Sequence, residues 1–169
     1  IASQSDANLF ISLHADAVIE GEASGTTVYL LSDKATDKMS AQLASRHDRS
    51  EILRGVDLSG LDSQVASVLL DMARQETKPR SEAVASFILK VFKEKITELS
   101  SQPLRYAAFS VLKSPDIPSI LIEAGFMSTS SDLQNLTTKK WRREFADSLA
   151  EAISRWYVRD KENKVLLRE

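Results

Sequence analysis

The sequence predicts an α/β fold, a mostly parallel, twisted sheet flanked by helices in three layers. Three observations carry this. Ile120-Leu121-Ile122 is an aliphatic run without alternation, the pattern of a central strand covered on both faces. Leu9 to Leu13 is a second short apolar run. Apolar residues at helical spacing fill the long stretches elsewhere: Ala83, Phe87, Ile88, Val91, Phe92 and Ile96 in one, Trp141, Phe145, Leu149, Ile153 and Trp156 in another.

The elements follow in order. Ile1 to Asp6 is expected to be the tail of a helix leading into the strand around Leu9 to Leu13, and Val18 to Ser24 is a polar connection. Thr26 to Leu31 is rich in β-branched and aromatic residues and predicts a strand, with Ser32 and Asp33 as helix caps behind it. In the helix that follows, Ala35, Met39, Leu43 and Ala44 form the packing face, while Lys34, Lys38, Gln42 and Arg46 face water. Ser45 to Asp62 breaks that pattern, since the charged patch Arg46-His47-Asp48-Arg49 and the glycines Gly55 and Gly60 mark a loop-like insertion.

Helical spacing resumes with Val65, Val68, Leu69 and Met72, and Pro79 is expected to open a new helix rather than interrupt one. Its apolar stripe runs down to Leu99, and Ser100 to Pro103 closes it. Tyr106 to Leu112 is the next strand. Pro115 and Pro118, on either side of Asp116, fix an extended entry to the strand that ends in Glu123. Leu133 to Leu136 predicts a helical turn, Trp141 to Trp156 a helix over one sheet face, and Arg159 to Glu169 a frayed tail. The resulting division is a domain over 1–158, with an insertion at 45–62, and a tail over 159–169.

Composition narrows the function. A chain of 169 residues with 43% hydrophobic content is of single-domain size. The 22 basic residues do not exceed the 24 acidic ones, which argues against nucleic acid as a partner. No apolar run approaches the ~20 residues of a membrane span, and no charged leader precedes an apolar core, so a soluble chain is expected. The absence of cysteine excludes disulfides and thiolate metal ligands. A serine hydrolase of the Gly-x-Ser-x-Gly type is disfavoured because that elbow does not occur.

Two strand ends carry candidate chemistry. Glu123 closes an apolar strand where open α/β sheets place ligands, although a carboxylate at a strand end can simply face solvent. His14 closes the other, followed by Asp16; an imidazole there can be a metal ligand, a general base or a satisfied core residue. Parallel strands ending in His14 and Glu123 would bring a nitrogen ligand and a carboxylate base to one sheet edge, the layout of zinc hydrolysis. Asp16 either lines that site or caps the following loop.

Ser12-Leu13-His14-Ala15-Asp16, the strand Gly25-Thr26-Thr27-Val28-Tyr29, and Val111 to Pro118 leading into Ile122-Glu123-Ala124-Gly125-Phe126-Met127-Ser128 resemble the zinc-dependent N-acetylmuramoyl-L-alanine amidases of bacterial cell division. The resemblance runs from Ile1 to about Tyr157. It implies Zn2+ as cofactor, His14 as a zinc ligand, Glu123 as the catalytic carboxylate, peptidoglycan as substrate and the periplasm as location. The family's other two zinc ligands lie upstream of the matched region, so the chain reads as the carboxyl-terminal part of a catalytic domain, expected by itself to be inactive and to bind zinc weakly. The resemblance also implies a helical regulatory insertion whose acidic residue caps the zinc until a LytM-type activator draws it away. The run Gly55-Val56-Asp57-Leu58-Ser59 sets the register, which puts His47 in the capping position, with Glu51 four residues later on the same helical face. A solvated charged patch is the competing reading of that segment. A non-catalytic domain of the same fold that binds peptidoglycan or a divisome partner is the alternative function.

Overall fold

The computed structural model describes residues 7–18, 23–53, 64–95 and 98–166, without the side chains of 50–53, 64–73 and 164–166. The expectations for Ile1 to Asp6, for Gly55 to Ser59 and for the last three residues lie outside the described residues, as does the side chain of Glu51. Four strands, β1 (Phe10–His14), β2 (Thr26–Leu31), β3 (Leu99–Ala107) and β4 (Ser119–Glu123), form one sheet in the order β1-β4-β2-β3. The pairs β1–β4 and β2–β3 are parallel, and β2–β4 is antiparallel. The sheet is therefore mostly parallel, as the buried aliphatic runs predict.

Strand periodicity divides the core between two layers. Successive side chains of a strand point to opposite faces. Val28 and Leu30 of β2, with Ile120 and Ile122 of β4, pack against Val84, Ile88, Phe92, Phe145 and Trp156 of α2 (Gln64–Lys95) and α4 (Lys139–Leu166). Tyr29 and Leu121 face the other way, against Leu43 and Ala44 of α1 (Lys38–Leu53) and against Phe109 and Leu112, which flank or lie in the 3-10 turn Ser110–Leu112. Glu123 lies two residues beyond Leu121, so the same alternation turns it toward α1.

Several boundaries differ from the sequence reading. α1 begins after Asp37, not after Ser32 or Asp33: Asp37 Oδ1 accepts from Ser40 N at 2.7 Å, and its Oδ2 lies 2.5 Å from Arg105 Nη1. The helix then continues unbroken through Arg46-His47-Asp48-Arg49 to Leu53, where a loop-like insertion was expected. The charged residues are taken up by tertiary contacts: Arg46 Nη1 donates to Ala17 O at 2.7 Å, and Asp48 Oδ1 accepts from Ser110 N at 3.0 Å.

Pro79 lies inside α2 rather than at its start. An interior proline costs about 3 kcal/mol. Five fully buried side chains of α2, Val84, Ala85, Ile88, Val91 and Phe92, outweigh it, since burying one large aliphatic or aromatic side chain contributes about 1.5–3 kcal/mol. Both flanks of the proline are also tied to the segment leading into β4: Arg74 Nη2 donates to Lys113 O at 2.9 Å, Thr77 Oγ1 to Pro115 O at 3.2 Å, and Ser119 N to Ser81 Oγ at 3.0 Å.

Ser100 to Pro103, expected to close a helix, belong to β3. Pro103 is tolerated because β3 is an edge strand, where a missing N–H breaks no ladder. The turn expected over Leu133 to Leu136 is α3 (Ser130–Thr137). The stretch from Arg159 is not frayed, since α4 extends to Leu166. Asp160, buried, receives Arg80 Nε at 2.7 Å and Nη2 at 2.9 Å, a bidentate pair that fastens the end of α4 to α2.

Asp37 couples the start of α1 to β3. Burial pushes its pKa up, but the Ser40 N–H and the Arg105 guanidinium outweigh this and hold it below the ordinary carboxylate value. Asp37→Ala should destabilise the protein by about 1–2 kcal/mol, the range for a lost N-cap. A group with a lowered folded-state pKa contributes in full above its unfolded pKa and loses that contribution as pH falls through the folded one. The wild-type advantage in urea unfolding should therefore be constant near neutral pH and shrink below about pH 4.

Candidate functional site

The parallel pairing of β1 with β4 aligns His14 directly with Glu123, so two strands deliver an imidazole and a carboxylate to the same end of the sheet. The loops beyond them are stitched together. Ala124 N donates to His14 O at 2.9 Å and Met127 N to Asp16 O at 2.7 Å. Asp16 N in turn donates to Glu123 Oε2 at 3.2 Å, so the loop after β1 holds the side chain that ends β4. Asp16 thus lines the site.

α1 supplies the fourth group. His47 Nε2 lies 2.6 Å from Asp16 Oδ2 and 3.7 Å from Glu123 Oε1. Its ring stands edge-on to His14, with centroids 4.2 Å apart, and packs against Phe109 on its other side at 5.5 Å. One donor atom from each of His14, Asp16, His47 and Glu123 falls within 4.8 Å of the others. The solvated-patch reading of His47 does not hold, because its side chain is buried in this cluster. The sequence also left Ser12 unassigned; its Oγ lies 2.7 Å from His14 Nε2 and fixes the imidazole ring.

Charge explains the arrangement. Glu123 is fully buried, and burial pushes its pKa above the ordinary carboxylate range, with His47 working in the opposite direction. The hydrogen bond from His47 holds Asp16 below that range despite burial. Burial alone would lower the pKa of His47, but Asp16 and Glu123 outweigh it and raise the value to about 9. Two carboxylates thus converge on one positive charge, here the imidazolium.

A divalent cation suits the same place. Glu123 Oε1 is a buried oxygen without a hydrogen-bond partner among the described residues, and a water held beside the cation would satisfy it. Two imidazoles and the Asp16 carboxylate form a nitrogen and oxygen donor set ordinary for zinc, with a Glu123 oxygen within 4.8 Å of each donor atom. The sequence reading put His14 and Glu123 at the site, left Asp16 between lining it and capping a loop, and took His47 as a capping residue by resemblance. Folding brings all four together.

The chain is similar to known amidases. A family model described as N-acetylmuramoyl-L-alanine amidase matches residues 1–155. The chain is 33% identical over 158 residues to the N-acetylmuramoyl-L-alanine amidase AmiA of Escherichia coli K12, covering 93% of this chain and 54% of AmiA. It is 35% identical over 158 residues to AmiC of Escherichia coli O6:H1, covering 93% of this chain and 37% of AmiC. The chain spans about half the length, or less, of these curated relatives. Among solved structures, the Ami1 amidase of Mycobacterium smegmatis superimposes with a TM-score of 0.59 at 15% identity, covering 92% of this chain and 56% of that one. The CwlD amidase of Clostridioides difficile, solved in complex with the GerS lipoprotein, gives 0.57 at 18% identity over 92% of this chain and 57% of its own. At these identities the likeness is one of fold. The family model extends over nearly the whole sequence and takes in both strand ends, and on that match the chain belongs to the N-acetylmuramoyl-L-alanine amidase family.

Proposed function

We propose that the protein works as a zinc-dependent peptidoglycan amidase of the periplasm, cleaving the bond between N-acetylmuramic acid and the L-alanine of the stem peptide in cell-wall turnover and daughter-cell separation. The observation that carries this reading is the in-register pairing of His14 with Glu123 at one sheet end. Zinc, when bound, lowers the pKa of water toward ~7 and polarises the scissile carbonyl. His14 is assigned as a ligand, oriented by Ser12. Glu123 is assigned as the proton shuttle, accepting a proton from the attacking water and passing it to the leaving amine. Asp16 keeps Glu123 aimed through the bond from its own N–H.

His47 is assigned a regulatory role. It enters the cluster from α1, whose hold on the sheet is modest: Leu43 and Ala44 are its buried apolar residues among those described, against five on α2. A helix attached in this way is inexpensive to open, which suits a lid that a LytM-type activator displaces.

Release of peptide from purified sacculi by the full-length, zinc-loaded protein tests the activity, and no release with zinc bound would refute it. Glu123→Gln should lower the rate by on the order of 10²–10⁴ with zinc content unchanged, because the amide keeps the shape and cannot take the proton. His14→Ala should lose zinc as well. Equal zinc loss in both variants would make Glu123 a ligand.

Replacing His47 and Glu51 together with alanine should raise activator-free hydrolysis by at least about tenfold, since removing one ligand of a lid is worth more than ~1.4 kcal/mol. Unchanged or reduced basal activity in a folded variant would exclude the lid.

A further inference from the structure

Asp132 lies in the first turn of α3 and is 3% exposed. An acid at that place ordinarily serves its own helix, by capping or by facing the dipole. Here the carboxylate reaches outside the helix. A single oxygen, Oδ2, accepts from Gly25 N at 2.8 Å and from Phe126 N at 2.8 Å.

The two donors flank Glu123 from different parts of the chain. Gly25 precedes β2, whose Thr27 pairs with Glu123, and Thr26 Oγ1 donates to Ala124 O at 2.9 Å. Gly25 has little freedom to shift. Its φ of +78° and a Cβ position only 2.6 Å from the Leu99 carbonyl carbon require glycine there. Phe126 lies three residues past Glu123, in the loop whose Met127 N–H holds Asp16 O. Asp16 then holds Glu123 Oε2. One carboxylate oxygen therefore ties the start of the neighbouring strand β2 to the loop that follows Glu123 and, through that loop, the N–H that aims its side chain.

We propose that Asp132 is a positioning residue for the Glu123 carboxylate, acting through the Gly25 and Phe126 amides. This deepens the amidase reading and rests on it for its kinetic consequence. Site geometry must be held to within about 0.5 Å to be productive. The expected signature is therefore a loss of turnover without loss of zinc or substrate affinity.

The test uses the full-length, zinc-loaded protein and a soluble muropeptide. Asp132→Ala should lower kcat by about ten- to a hundredfold, the scale of a misplaced reacting group, with KM and zinc content unchanged. Asp132→Asn should recover most of the loss, because one amide oxygen can accept both N–H bonds. Gly125→Ala is the second variant. It keeps the Asp132 side chain but puts a methyl 3.1 Å from its Cβ and 3.3 Å from its Oδ2, so the carboxylate must shift, and it should reproduce the kcat defect if Asp132→Ala does not fold. A readout independent of turnover is the carbon-13 carboxyl resonance of Glu123, identified by its disappearance in Glu123→Gln. It should shift or broaden in Asp132→Ala or Gly125→Ala and return in Asp132→Asn, whether or not the wild type cleaves muropeptides. Wild-type kcat and an unmoved Glu123 resonance in either folded variant would overturn the proposal. An inactive wild type with a displaced resonance in the variants would instead refute the amidase reading alone.

Discussion

A carboxylate with no solvent exposure must be compensated, and the surroundings of Glu123 are organised by that requirement. The compensation comes from three directions: the backbone N–H of Asp16 from the neighbouring loop, the imidazole of His47 from the layer above, and the paired strands that keep both within reach. None of these is local in sequence. Asp16 and Glu123 are joined only because β1 and β4 run parallel in a fixed register, and a slip of one residue would turn His14 and Glu123 to opposite faces. The chemistry available to the site therefore depends on strand pairing as much as on the identity of its residues.

Much of this was legible in the sequence. Apolar runs without alternation identified β1 and β4, because strands covered on both faces need no polar positions, and β-branched and aromatic residues identified β2. That two of them end in His14 and Glu123 was enough to place a site at one sheet edge. What the pattern left open was which neighbours would join it: Asp16 could equally cap the next loop, and His47 was placed only by the family resemblance. Asp16 and His47 stand in polar stretches whose periodicity says only that they are not core, and the same stretch of charges would suit a solvated loop. Their roles follow from contacts across the sheet. Asp132 had no signal beyond an acid in the first turn of a helix.

The misread boundaries share a cause. Pro79, the charged patch of α1 and the end of α4 all carry residues that locally disfavour a helix or leave it undecided. In each case, contacts remote in sequence decide the outcome: Thr77 and Ser81 around the proline, Arg46 and Asp48 within the patch, Asp160 with Arg80 near the terminus. Propensity is worth a few tenths of a kcal/mol per residue and is overridden by such packing. β3, expected over Tyr106 to Leu112, was placed too late for the opposite reason: it runs Leu99–Ala107, and its serines, glutamine and proline suit an exposed edge and lack the apolar run that marks a buried strand.

The alternation along β4 separates two kinds of constraint. Ile120 and Ile122 face α2 and α4, while Leu121 and Glu123 face α1. Anchorage and chemistry thus occupy opposite sides of one strand, a single residue apart. Whatever happens to the layer over the site, the strand bearing Glu123 stays clamped from behind and between its two neighbours. Sequence change then meets a different limit on each side. The α2 and α4 side must conserve volume, whereas the α1 side must conserve a polar or cationic partner for the buried carboxylate.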